Sequence, residues 1–256
     1  MIVEFFGPPC VGKTTLARHL ASCLNEKGHV AELALSYRPA ELPAPYGNGG
    51  QIALHMPSTL RRLARPVRDM LTLARQSAVM SNELSEAIHL VKLLRPRNLI
   101  WTIRLSQYLS RILNSWRHAA MADEIMLFDQ AFVQAICSLV LLGKIEDDAL
   151  ILEALDMTPK PDLLIWVDGP RDMLAERLRR RAEAQSATER LLEFDIATNL
   201  AFVEIAERLD TLLRRRGRAA TRVISLEQGS LDEATSLIEA KVAAMSGTQL
   251  TAAVMQ

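Results

Sequence analysis

The chain has 256 residues, 49% apolar and 23% charged, the balance of a globular protein with room for one large α/β domain or two small ones. Lys+Arg and Asp+Glu number 30 each, so overall charge points to neither a nucleic-acid nor a membrane partner. Three cysteines, Cys10, Cys23 and Cys137, show no metal-ligand or redox spacing and fit a reducing, cytoplasmic compartment.

The opening "MIVEFF" carries Glu4 and runs into a glycine loop, so it reads as a strand over 2–6 rather than a secretory signal. A helix is expected over 13–27, ending near Gly28, and a second strand over "HVAELAL", 29–35. "SYRPAELPAPYGNGGQ", 36–51, is rich in Pro and Gly and reads as a long loop of the functional kind. From 58 to 118 the pattern is helical, with breaks near Ser81-Asn82 and Arg95-Pro96. "EIMLF", 124–128, is a third strand that ends at Asp129. Helices follow over 130–142 and 146–156. The greasiest stretch, 131–143, is too short to span a bilayer and is interrupted by Gln134, so it reads as a buried helix. "DLLIWV", 162–167, is a fourth strand, with helices over 171–184 and about 190–215 behind it. "TRVISL", 221–226, is a fifth strand, a last helix covers 230–245, and 247–256 is expected to be a flexible tail.

Strands alternating with helices predict a three-layer α/β fold on a parallel, five-stranded sheet. Ligands on such sheets bind beyond the carboxyl ends of the strands. Gly7, Arg38, Asp129 and Asp168 all fall just after a predicted strand. Between Pro57 and His118, ten arginines and one lysine stand against Asp69, Glu83 and Glu86. These cations either coat solvated helix faces or converge in part on an anionic acceptor.

Gly7-x-x-x-x-Gly12-Lys13-Thr14, with a strand before it and a helix after it, is the pattern of a phosphate-cradling P-loop. Backbone N–H groups of residues 10–15, among them Cys10, Val11, Gly12, Thr14 and Thr15, are expected to turn inward beside the positive end of the helix. Lys13 is expected to reach the β- and γ-phosphates of ATP, and to face solvent when no nucleotide is bound. The Thr14 hydroxyl is placed to ligate Mg²⁺. Asp129 can hold Mg²⁺ through water, or take a proton from a hydroxyl nucleophile; the alternative is a cap for the helix that follows. Arg177 and Arg181, four residues apart on one helix face, and Arg190 beyond a small polar link, suit a triphosphate. The alternative pairs them with Glu176 and Glu183 on a solvated helix.

"GPPCVGKTT", "SYRP", "IRLSQYL", "LFDQ" and "PDLLIWVDGPRDMLAERLRRR" occur in the order of the thymidylate kinase branch of P-loop nucleotide kinases, which the chain resembles over 1–35 and about 98–226. The resemblance implies one kinase domain over 1–246, in which 57–118 form a helical acceptor cap and 177–190 a lid. It implies Arg38 as the counterpart of the family's arginine loop. It implies Arg104 as a phosphate-contacting residue with a catalytic part, and Gln107, Tyr108 and Gln130 as neighbours of the acceptor. Where the family has Asp-Arg after the third strand this chain has Asp129-Gln130, and Cys10 stands where glycine is frequent. The reaction expected is transfer of the γ-phosphate of Mg·ATP to a small acceptor. That acceptor is a nucleoside monophosphate, or else a hydroxyl of a sugar, nucleoside or antibiotic. A nucleotide-dependent regulatory ATPase module is the third reading. No nucleic-acid or membrane partner is expected, and a homodimer is left open.

Overall fold

The computed structural model describes residues 1–35, 80–185, 195–225 and 229–254. The expected arginine loop with Arg38, the first part of the acceptor cap over 57–79, and Arg190 of the expected lid lie outside the described residues.

The sheet is built from the apolar runs. Strands β1 (Ile2–Phe6), β2 (Ala31–Ala34), β3 (Ile125–Phe128), β4 (Leu163–Asp168) and β5 (Thr221–Ile224) pair in the order β2-β3-β1-β4-β5. All four pairings are parallel, so the five-stranded parallel sheet is present as expected. Among the described residues the helices are α1 (Lys13–Glu26), α2 (Met80–Leu93), α3 (Leu99–Met121), α4 (Phe132–Gly143), α5 (Asp148–Met157), α6 (Arg171–Ala184), α7 (Ile196–Arg215) and α8 (Gly229–Val254).

The period of two in β1 divides the core. Val3 and Phe5 face a layer with Leu16, Leu20 and Leu24 of α1 and Ile238 and Val242 of α8. Ile2 and Phe6 face the other layer, with Leu105, Leu109 and Trp116 of α3, Phe132 and Ile136 of α4, and Phe202 and Leu209 of α7. With both faces covered, the central strand is buried throughout. Fully burying a side chain such as Phe5 or Phe6 contributes about 1.5–3 kcal/mol before chain entropy is counted.

The ends of the elements have local causes. Gly28, at φ +86, stops α1. Pro96 falls in the gap between α2 and α3, and the Asn98 side chain accepts the Ile100 N–H at 2.8 Å to start α3. Asp195 does the same for α7, accepting from Thr198 N–H at 2.6 Å. α4 begins at Phe132, two residues later than the sequence suggests, because Asp129-Gln130-Ala131 form the turn out of β3. α8 runs on through 247–254, where the sequence suggests a tail. Among the described residues no helix is long and apolar enough to cross a membrane.

After β1 the chain crosses through α1 to β2 on one side; after β3 it crosses to β4 on the other. The two connections therefore diverge at the carboxyl ends of β1 and β3. That divergence opens the crevice in which sheets of this kind hold ligands.

Candidate active site

The glycine loop fills this crevice. Gly7 leaves β1 at φ +143, so close to β4 that a Cβ on it would lie 2.0 Å from the Val167 carbonyl oxygen. Only glycine fits there. Gly12, at φ +103, turns the chain into α1. Cys10 also takes the left-handed region, at φ 62, where a residue with a Cβ costs about 1–2 kcal/mol. The frequency of glycine at this place in the resembling family thus has a backbone reason, and this chain departs from it at some strain.

Lys13 is only 6% exposed, which corrects the expectation that it faces solvent. Its ammonium bends back over the loop and donates to the carbonyl oxygens of Gly7 and Pro8, both at 2.8 Å. Burial pulls its pKa down to about 8, against the opposing pull of the Asp129 carboxylate. The cation is therefore held by two backbone dipoles of the loop itself.

Thr14 opens the first turn of α1, and its hydroxyl donates to Asp129 Oδ2 at 2.7 Å. Asp129 is 2% exposed. It does not cap α4, whose N-cap is Ala131 with no side-chain cap bond. The helix-cap alternative is thus removed. Two hard oxygen groups at hydrogen-bond distance beside the glycine loop are of the kind that suits Mg²⁺, which takes one or two protein oxygens and fills the rest of its shell from water and phosphate. Thr15 lies next along α1 with an exposed side chain, and Val11 is fully buried.

The arginines of α6 reach the loop from β4's side. Arg177 Nη1 lies 3.4 Å from the Cys10 carbonyl, and 3.5 Å from both the Val11 carbonyl and Ser225 Oγ. Arg181 Nη1 lies 3.8 Å from Cys10 Sγ. Glu176 pairs instead with Arg179 and Arg180, at 3.7 and 2.7 Å. The two arginines aimed at the loop are those that the helical spacing singles out.

Other expected residues are placed differently. Arg104 lies over the Trp101 ring, 4.7 Å from its centroid, on half-buried turns of α3. Gln107 is half-buried one turn on. The Tyr108 ring packs against the core, and its hydroxyl is buried with no hydrogen-bond partner among the described residues. Burial, with the Asp129 and Glu4 carboxylates beside it, pushes that hydroxyl's pKa well above the usual phenol range. Gln130 is half-buried in the turn after β3. Asp168 is held within the sheet: it accepts from Gly169 N–H at 2.8 Å and pairs with Arg222 of β5, which stacks on Trp166.

Two buried residues beside the site are not named by any motif. Glu4, in the middle of β1, is fully buried, and its Oε1 accepts the Val133 N–H of α4 at 2.6 Å. Burial pushes its pKa up to about 8, against the Val133 and Gln134 N–H groups and Arg218. Gln134 Oε1 accepts the Gly7 N–H at 3.0 Å. Each breaks an otherwise apolar run, and that is the available signal, since a buried polar group nearly always has a partner somewhere in the fold.

Solved structures of deoxyadenosine kinase and thymidylate kinase are similar to this chain. Deoxyadenosine kinase from M. mycoides with bound dATP is 12% identical over 94% of this chain and 99% of that one, with a TM-score of 0.48. The same enzyme with bound dCTP is 12% identical over 95% and 100%, with a TM-score of 0.44. Thymidylate kinase from Ehrlichia chaffeensis is 15% identical over 94% and 98%, with a TM-score of 0.42. No family model and no curated protein matches the sequence.

Proposed function

We propose that the protein is an ATP-dependent small-molecule kinase, with Asp129 beside the glycine loop and Arg104 on the acceptor side. The observation that carries this reading is the placement of Lys13, Thr14 and Asp129 together at the crevice between β1 and β3, with the 2.7 Å Thr14–Asp129 hydrogen bond closing it. In phosphoryl transfer the protein mainly positions the reactants and stabilises charge on the moving group. The Lys13 ammonium would leave the Gly7 and Pro8 carbonyls for the β- and γ-phosphates. Loop N–H groups and the α1 terminus would hold the phosphate oxygens. Arg177 and Arg181 would approach from α6. Thr14 and Asp129 would hold Mg²⁺, which supplies neutralising charge between the phosphates.

The favoured acceptor is a nucleoside monophosphate, or a molecule like it. Arg104 on α3 supplies a guanidinium for its phosphate, and Trp101 supplies an aromatic face. Such an acceptor attacks through an oxygen that is already ionised, and no strong base is needed. The second reading is a hydroxyl acceptor with Asp129 as base. Its specific support is Asp129-Gln130: the residue that follows the carboxylate in sequence is a glutamine and not an arginine.

A panel of nucleoside monophosphates, nucleosides, sugars and aminoglycosides, read by ADP release with Mg·ATP and beside an acceptor-free control, tests the proposal. Release that no acceptor stimulates would make the protein an ATPase and reject the kinase reading. With the active acceptor in hand, Asp129→Asn separates the two versions. For a hydroxyl acceptor kcat falls by about 10²–10⁴-fold, with nucleotide affinity nearly kept. For a monophosphate the loss acts through the metal and is partly recovered at high Mg²⁺ or with Mn²⁺.

A further inference from the structure

Gln134 lies in the first turns of α4 among buried Phe132, Val133, Ala135, Ile136 and Cys137, and is itself only 5% exposed. A primary amide in such surroundings is unfavourable unless it is hydrogen-bonded. Its oxygen takes the N–H of Gly7, 127 residues earlier in the chain. Gly7 lies just past the ladder of β1, whose register with β4 ends at Phe6 opposite Trp166 and with β3 at Glu4 opposite Phe128. The sheet therefore supplies no partner for that N–H, and Gln134 does. One residue before it, the Val133 N–H donates to Glu4. The first turns of α4 thus grip β1 at its middle and at its exit.

Gly7 has a second duty. Its carbonyl holds the Lys13 ammonium at 2.8 Å. The chain of contacts runs from Gln134 Oε1 to the Gly7 N–H, through Gly7 to its carbonyl, and on to Lys13 Nζ. The Thr14–Asp129 bond is part-buried, where phosphate and metal would come. The Gln134–Gly7 bond is buried.

We propose that Gln134 is a positioning residue: it fixes the first residue of the phosphate loop relative to the β3–α4 turn, and so sets where Lys13 and the loop meet nucleotide. This rests on the reading that the loop holds a nucleoside triphosphate or diphosphate.

The test uses Mg·ADP titrated calorimetrically into the whole protein, with Gln134→Met and Gln134→Glu. Met keeps the length and removes the oxygen; Glu keeps an oxygen that accepts whether neutral or ionised. Loss of one buried hydrogen bond is expected to weaken Mg·ADP binding by about tenfold in Q134M, with Q134E close to the parent. Hydrogen exchange at the Gly7 amide is expected to speed up in Q134M alone, while the Val3 and Ile165 amides keep their protection. A parent protein that does not bind Mg·ADP overturns the nucleotide reading itself. A binding parent with an equally tight Q134M, or with equal losses in both variants, overturns the positioning role alone. If Q134M does not fold, Q134E decides: a folded Q134E that has lost Mg·ADP binding overturns the proposal, and one that retains it supports it.

Discussion

The two sides of the crevice are built in different ways. On the side proposed for phosphate the polar groups are internal: Lys13 is 6% exposed and Asp129 2%, the first held by backbone carbonyls of its own loop and the second by Thr14, 115 residues away. On the side proposed for the acceptor, Leu99 and Ile100 at the amino-terminal end of α3 are 72% and 61% exposed, close in sequence to the Arg104–Trp101 stack. Every nucleoside triphosphate presents the same phosphates, so a cradle for them can be assembled inside the fold from glycines, backbone dipoles and one lysine. An acceptor differs from one enzyme to the next and must be recognised by side chains that are free to differ.

The contrast is broken most directly by one substitution on each side. Lys13→Met keeps the buried stem and removes the charge. On the kinase reading it lowers turnover by on the order of 10³-fold or more with every acceptor alike, because charge stabilisation of the transferring group is lost. Arg104→Ala raises KM for a phosphate-bearing acceptor and leaves KM for ATP unchanged. Steady-state kinetics with both substrates varied, alongside far-UV circular dichroism to establish that the variants fold, checks the pair. A Lys13→Met protein with parental turnover would remove the phosphate side from the chemistry. An Arg104→Ala defect confined to ATP would place Arg104 on the wrong side.

The same contrast decides what can be read from sequence. β1, its loop and α1 are legible because an apolar run, the four fixed positions Gly7, Gly12, Lys13 and Thr14, and a periodic helix follow one another in the chain. Asp129 is legible because an acid closes an apolar strand. Arg177 and Arg181 follow from helical spacing. Burial of Lys13 is not legible, since it depends on how the left-handed turn at Cys10 folds the ammonium back onto the Gly7 and Pro8 carbonyls. Glu4 and Gln134 show in the sequence only as polar interruptions. Their partners lie 129 and 127 residues away, and no local pattern specifies which buried donor each will find. Asp168 misleads for the converse reason: it closes a strand as Asp129 does, but Arg222 on the neighbouring strand takes it.

A smaller effect sharpens the view of the phosphate side as a desolvated cradle. With its pKa pulled down to about 8 by burial, free Lys13 loses its proton just above neutrality. Phosphate oxygens favour the ammonium and raise that pKa on binding. On the kinase reading, nucleotide affinity is therefore expected to be level well below pH 8. Above it, affinity falls by about tenfold per pH unit until the pKa of the complex is reached. Binding in this range takes up protons. Calorimetry of Mg·ADP at pH 8.5–9 in buffers of different ionisation enthalpy measures that uptake directly. Affinity that stays level to pH 10, with no proton taken up, would mean that Lys13 is as well solvated as an ordinary surface lysine.

The smallest effect is expected at Glu4, behind the cradle, where it tests burial apart from binding. Desolvation is the largest influence on this carboxyl and pushes its pKa from an ordinary 4.5 up to about 8, while the Val133 and Gln134 N–H groups and Arg218 favour the ionised form. Between those two values the folded protein holds a proton that the unfolded chain has released. The stability this contributes is complete below about pH 4.5, declines as pH rises through the window, and is gone above about pH 8. Glu4→Gln keeps the shape and an oxygen for the Val133 N–H, but it has no proton to lose. Melting temperatures of the variant relative to the parent should therefore climb between pH 5 and 8 and then level, by on the order of several °C. Nucleotide affinity near pH 6.5 should be unchanged, because parent and variant are both neutral at this position. Parallel melting curves across the whole range would show that Glu4 is ionised in the fold, held by α4 and Arg218 as an ordinary carboxylate.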